Sequence, residues 1–205
     1  MRDTVYFLAF DGFADWHAAH ALCEIRRPGE WQLKTVGFSL QPALSMAGLR
    51  VVPELTLDKV DLKRAALLII PGGYLWEHGE GDEAVAAVQR LHAAGVPVAA
   101  VDSGVLVLAR AGLLDERRHT ASWPGHLGAH VPAYAGDAHY EDGVLAVSDE
   151  GVITASQLGC VEFAREVIRA LDLYNPSDRE HWYRLFKHAQ PPPWCTGDAT
   201  AAVAA

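Results

Sequence analysis

Along this chain, short runs that are apolar at nearly every position alternate with segments whose apolar residues recur every three or four positions. The runs "TVYFLAF" (4–10), "WQLKTVGF" (31–38), "AALLIIPGG" (65–73) and "VPVAAV" (96–101) read as strands. A helical pattern spans about Ala14 to Arg27, with Trp16, Ala19, Leu22 and Cys23 on its apolar face. A second, "DEAVAAVQRLHAAG" (82–95), stops at Gly95. Strands apolar on both faces and interleaved with helices argue for a parallel sheet covered on both sides, an α/β architecture. "LSMAGLRVVPEL" (44–55) predicts a hairpin turning at Ala47-Gly48, and a helix is expected over 104–112. "GVLAVSD" (143–149) and "GVITAS" (151–156) form a predicted strand pair, followed by a long helix, "GCVEFAREVIRALDLY" (159–174). In "PSDREHWYRLFKHA" (176–189), Ser177 with Glu180 three residues on is a capping-box pattern for a last helix. The reading is one domain over 1–190 and a disordered tail over 191–205.

In such sheets ligands bind beyond the carboxyl ends of the strands. Three segments therefore meet at one crevice: 11–17, 71–76 and 102–104. Gly72 and Gly73 let the backbone turn sharply and present N–H groups. The N–H of Ser103 adds the positive end of the next helix, so Gly73 and Ser103 are candidate donors for an oxyanion or bound anion. Asp102 stands where strand turns directly into helix. One reading of it is a helix cap; the other is a carboxylate lifted into the crevice as nucleophile, base or binding group. His17 and His20 share a helix face, and only His17 is placed to reach Asp102.

Composition narrows the partners. The chain has 205 residues, half of them hydrophobic, and a formal net charge of −9. Nucleic acid is disfavoured, because phosphate binding needs clustered Lys and Arg. No apolar run approaches the roughly 20 residues of a membrane span, and "MRDTVYFLAF" is too short and too soon followed by charge to act as a secretory signal. Cys23, Cys160 and Cys195 form no CxxC pair and suit a reducing, cytoplasmic setting. Cys160 opens a helix, where a thiolate is favoured, but it reads as a small residue packed at a close approach. The His-rich stretch includes His126-x3-His130, a spacing that suits a metal pair only on a helix, and Pro124 and Pro132 leave room for little helix. No metal and no cofactor is expected. Trp16, Trp76 and Trp123 could line a small-molecule crevice, or could each belong to the core.

"FDGFADWHAAHALCEI", "LLIIPGGYLWE", "VPVAAVDSGVLVLARAGLLDERRHTAS" and "VITASQLGCVEFAREVIRAL" together resemble the PfpI-type intracellular protease/amidase family. That family belongs to the class I glutamine-amidotransferase-like superfamily, which includes the parkinsonism-associated deglycase. The resemblance covers roughly residues 3–173 and implies a flavodoxin-like three-layer sandwich, commonly a homodimer, with a nucleophile elbow. It implies a cysteine at the elbow, a glutamate that hydrogen-bonds the thiol, and a nearby histidine. By position these fall on Asp102, His17 and Ser122, with His119 three residues before the last; the implied oxyanion-hole backbones are Gly73 and Ser103. A cysteine–glutamate pair has thus become an aspartate–histidine pair, in which a His17 imidazolium could donate to the Asp102 carboxylate. An elbow aspartate also resembles an over-oxidised cysteine in shape and charge.

Losing the thiol excludes cysteine-based amidase, protease and glyoxalase-type chemistry. Three expectations follow: a non-catalytic homologue that binds a small molecule, a hydrolase or hydratase using Asp102 and His17, or a stress-related interaction protein. The pocket expected for the first two comprises Gly72, Trp16, Trp76, His119 and Ser122 around the Asp102–His17 pair.

Overall fold

The computed structural model describes residues 2–192 and 195. Most of the tail expected from 191 onward lies outside the described residues. The strands are β1 (Thr4–Leu8), β2 (Gln32–Gly37), β3 (Ala43–Leu44), β4 (Arg50–Val51), β5 (Leu55–Thr56), β6 (Ala65–Ile70), β7 (Val98–Val101), β8 (Ala146–Asp149) and β9 (Val152–Ala155). The helices are α1 (Ala19–Arg26), α2 (Tyr74–Glu77), α3 (Asp82–Ala93), α4 (Val105–Arg110), α5 (His126–His130), α6 (Cys160–Ala170) and α7 (Pro176–His188).

The main sheet runs β5-β2-β1-β6-β7-β9-β8. Every neighbouring pair is parallel except β8–β9, which is antiparallel as its short intervening turn requires. Every residue of β1, β6, β7 and β9 is buried, which explains why these strands read as continuous apolar runs rather than as alternation. Helix α1 packs against α6, which also carries α7; α3 packs against α4. The fold is thus the α/β, flavodoxin-like sandwich expected, and β3 with β4 forms the expected hairpin as a separate two-stranded sheet.

Two boundaries differ from the sequence reading. Helix α1 starts at Ala19 rather than near Ala14, because the preceding segment is bound to the glycine turn after β6. Phe13 bridges Gly73, and the Ala14 amide donates to the Gly72 carbonyl at 2.9 Å. His17 therefore sits in a turn, not on a helix shared with His20. Helix α7 is capped by Asn175, whose side chain accepts from the Asp178 amide at 2.9 Å, in place of Ser177. With Pro176 at the first helical position, where its missing N–H has no cost, the cap falls one residue upstream of the proline.

At the carboxyl ends of β6 and β7 the backbones nearly touch. A Cβ on Gly104 would lie 2.7 Å from the Ile70 carbonyl oxygen and 2.8 Å from that of Pro71. Only glycine permits that approach, and it sets the Asp102 turn directly against the Pro71-Gly72-Gly73 turn.

Candidate functional site

The three predicted segments do converge. Asp102 opens a 3-10 turn, Asp102–Gly104, that leads from β7 into α4. Its φ is +57°, a left-handed conformation that costs most residues about 1–2 kcal/mol and that Asp tolerates better than most. This is the geometry of an elbow that raises one side chain above the sheet. The carboxylate is partly exposed and accepts two hydroxyls, from Ser122 to Oδ1 at 2.6 Å and from Ser103 to Oδ2 at 3.3 Å. Ser122, expected beside the elbow, is thus the closest partner of Asp102.

His17 is 2 % exposed, and its Nδ1 accepts the Gly72 N–H at 3.2 Å. A backbone donor on Nδ1 fixes the neutral tautomer with the proton on Nε2. Burial also lowers the pKa of His17 from the ordinary histidine value, against the opposing pull of Asp102 and Asp15. The imidazolium–carboxylate hydrogen bond expected from sequence is not formed: among the described residues, no hydrogen bond or ion pair joins His17 to Asp102. Instead the two groups face each other across the missing side chain of Gly72. A Cβ there would lie 2.6 Å from Asp102 Oδ2 and 2.7 Å from His17 Cε1.

The expected oxyanion donor at Gly73 is also engaged. Its N–H donates to Ser103 Oγ at 2.9 Å, within a buried link that ties the glycine turn to the elbow. Trp76 belongs to the core rather than the pocket. It is 1 % exposed, meets Phe10 edge-on at 4.7 Å and donates its N–H to the Pro71 carbonyl at 2.9 Å. His119 is also structural: fully buried, its ring nitrogens meet the Arg117 carbonyl at 2.7 Å and the Tyr134 hydroxyl at 2.6 Å. Burial pushes the pKa of the Cys160 thiol up, with a backbone hydrogen bond opposing and the Asp102 and Glu162 charges adding to the rise, against the thiolate that a helix start favours.

Two residues not assigned to the pocket from sequence stand beside it. His126 is fully buried and stacks on Trp123, with centroids 4.0 Å apart and planes at 26°, while Trp123 itself is exposed. Neither ring nitrogen of His126 has a hydrogen-bond partner. Glu77, at the end of α2, brings Oε1 to 3.8 Å from Nε2, too far for a hydrogen bond. Burial, helped by His130, lowers the pKa of His126, with Asp102 opposing. Nothing in the local sequence marks Glu77; its position three residues after Gly-Gly-Tyr matters only once α2 is folded against the elbow. Trp16 is exposed and lies edge-on to His17, centroids 4.9 Å apart. A separate recess of about 280 Å³ shares Phe10 with the glycine turn but is lined chiefly by Phe38, Pro42, Pro53 and Leu75, away from Asp102. Among the described residues no cluster of three metal-ligating side chains occurs, and no helix is long and apolar enough to cross a membrane.

Chemically, the site offers a carboxylate held by two hydroxyls, two nearby imidazoles whose protonation burial disfavours, no thiol at the elbow and no free base on the His17 Nδ1 side.

Comparison with known proteins gives this arrangement a context. The DJ-1/PfpI family model matches residues 3–170. The uncharacterized protease YoaZ of Bacillus subtilis is 31% identical over 194 residues, which is 91% of this chain and 92% of that protein. Deglycase TK1284 of Thermococcus kodakarensis is 29% identical over 119 residues, 58% of this chain and 71% of that protein. The crystal structure of the DJ-1 superfamily protein Atu0886 from Agrobacterium tumefaciens superposes with a TM-score of 0.84 at 30% identity, covering 92% of this chain and all of that one. A thiJ/pfpI family protein from Bacillus anthracis gives a TM-score of 0.87 at 29% identity, covering 93% of each chain.

Proposed function

The chain belongs to the DJ-1/PfpI family, and we propose that within it this protein binds a small molecule at the elbow and has lost cysteine-dependent chemistry. The relatives named protease and deglycase mark the chemistry from which it departs. One observation carries the reading: the elbow side chain is the Asp102 carboxylate, and the lone pair of the imidazole facing it is closed by the Gly72 N–H. Asp102 cannot replace a thiolate as a soft nucleophile. For His17 to take a proton from water, Nδ1 would have to give up a buried backbone donor, or Nε2, already protonated, would have to act as a base. Neither is available without leaving a buried N–H unpaired. An ester-intermediate or water-activating hydrolase built on these two residues is therefore disfavoured. The same features suit recognition: the Asp102 carboxylate is partly exposed and is steadied by the Ser122 hydroxyl, with no thiol beside it to react.

The test is a turnover screen over esters, amides, epoxides and α-oxoaldehydes, run alongside ligand-induced thermal shifts. The native protein, Asp102→Asn and the double reversion Asp102→Cys/His17→Glu are compared. Saturable stabilisation by a ligand, reduced in Asp102→Asn and without turnover, is the expected result. Turnover by the native protein that disappears in Asp102→Asn overturns the reading in favour of an Asp102-dependent hydrolase.

A further inference from the structure

The Pro71-Gly72-Gly73 turn stands at the carboxyl end of β6, where ligands bind in sheets of this kind. Yet each of its polar main-chain atoms has a partner inside the chain. The Pro71 carbonyl accepts the Trp76 indole N–H at 2.9 Å, the Gly72 carbonyl accepts the Ala14 amide at 2.9 Å, and the Gly73 carbonyl accepts the Trp76 amide at 3.2 Å. The two N–H groups go to side chains from different segments. That of Gly72 donates to His17 Nδ1 at 3.2 Å, and that of Gly73 to Ser103 Oγ at 2.9 Å. His17 and Ser103 are each 2 % exposed, so both bonds are shielded from solvent.

The main chain has little freedom to release the Gly73 donor. A Cβ at Gly73 would lie 2.6 Å from Phe10 Cε2 and 2.9 Å from the Gly12 carbonyl oxygen, so the turn is pressed against the loop after β1. On its other side the carbonyl contacts at Gly104 hold it to the elbow. The Ser103 hydroxyl, by contrast, turns about a single side-chain torsion. It is engaged in three directions: it accepts the Gly73 N–H, and its proton faces the Gly73 carbonyl at 3.2 Å and Asp102 Oδ2 at 3.3 Å. An oxygen lone pair on the Gly73 N–H is what a developing oxyanion would supply, and this side chain stands in that place.

Resting on the reading of the elbow as a site that has left cysteine chemistry, we propose that Ser103 is a specificity-determining plug: its hydroxyl occupies the donor position at Gly73 and closes the crevice to oxyanions and bound anions. The chemistry is then disabled twice, once by the side chain at 102 and once by that at 103. Installing a thiol at the elbow does not by itself rebuild a working site. The ligand of the native pocket is recognised without an anionic group on the glycine turn, since a carboxylate or phosphate oxygen arriving there would have to displace Ser103 Oγ beside the Asp102 carboxylate.

Amide hydrogen exchange of the full chain tests the contact itself. The Gly73 amide is expected to exchange slowly in the native protein and about tenfold or more faster in Ser103→Ala, with the Gly72 amide unchanged as the internal reference. A Gly73 amide that exchanges at the rate of an unstructured chain in the native protein, or equally in both proteins, overturns the plug. Turnover tests its consequence. In the Asp102→Cys/His17→Glu background, adding Ser103→Ala is expected to raise hydrolysis of a nitrophenyl ester about tenfold or more, since one oxyanion donor is worth on the order of 10²–10³ in kcat. Adding Ser103→Thr, which keeps the hydroxyl, gives no gain. Equal rates with alanine and threonine, including no turnover by either, overturn the assignment. Ester turnover by the native protein that depends on Asp102 refutes the binding reading instead, and leaves the exchange result at Gly73 standing.

Discussion

Replacing Gly72 by alanine tests whether Asp102 and His17 are held apart by nothing more than a missing methyl group. The added Cβ would stand 2.6 Å from Asp102 Oδ2, 2.7 Å from His17 Cε1 and 2.8 Å from His17 Nδ1. Neither neighbour can easily step aside. His17 is enclosed at 2 % exposure, and Asp102 is tethered by Ser122 at 2.6 Å on a backbone already in the left-handed region. Gly72 itself has no left-handed φ, so the cost is one of overpacking rather than backbone strain. Forcing a methyl group into such a site costs about 1–3 kcal/mol. For a chain of this size each kcal/mol lowers Tm by about 2–4 °C, so a fall of roughly 2–12 °C is expected. Gly128→Ala is the matched control, because Gly128 lies within α5 and no atom comes within 4 Å of its Cβ. There alanine gains helix propensity of up to about 1 kcal/mol, and Tm stays or rises. Thermal unfolding followed by far-UV circular dichroism, at one pH and one protein concentration, measures both variants. If Gly72→Ala melts within about 1 °C of the native protein, the carboxylate and imidazole are not packed about that glycine and the site geometry argued above is wrong.

Two other expectations concern the elbow and the buried histidines. Asp102→Gly and Asp102→Ala both lose the two hydroxyl contacts, but only glycine relieves the left-handed backbone. The glycine variant should therefore be the more stable by about 1–2 kcal/mol in denaturant unfolding, and equal stabilities refute a strained elbow. His17, His119 and His126 all have pKa values lowered from 6.5, chiefly by burial, so each binds a proton more tightly in the unfolded chain. Their contribution to stability is present above that value and is lost as pH falls below it, at about 1.4 kcal/mol for each unit of depression. Tm should drop between pH 7 and pH 5, with a shallower slope in His126→Gln; a flat or rising profile contradicts the burial of these rings as neutral species.

Much of the architecture was legible because both-face burial leaves so plain a trace. "AALLII" and "VPVAAV" can be little else than central strands, and their order with the intervening helices implied the parallel sheet. Local competition was harder to read. Nothing in "DGFADWHAAH" announces that residues 13 and 14 bond to a glycine turn some sixty positions away and so delay α1 to Ala19. At α7 the Ser177–Glu180 pattern was real but lost to Asn175, because Pro176 fits the first turn better than a position before the cap. Within the site, the places of Asp102, Gly72, Ser122 and His17 followed from the topology and the family resemblance. Trp76 and His119 did not belong there, since each satisfies its polar atoms inside the core with Pro71 or with Arg117 and Tyr134. Glu77 and His126 were not recognised because their relation is purely tertiary, between a four-residue helix and a five-residue one.

The contact at Gly104 has a consequence for how this scaffold can be altered. The two turns that frame the crevice are joined backbone to backbone, with carbonyls of Ile70 and Pro71 where any side chain at 104 would have to go. The distance between the turns is accordingly set by main-chain atoms and is independent of which side chain occupies position 102. That makes the elbow an interchangeable socket: thiol, carboxylate, amide or hydroxyl can be installed on the same frame and compared without the frame adjusting to each. For an engineer, position 104 is the one to leave alone and position 102 the one to vary.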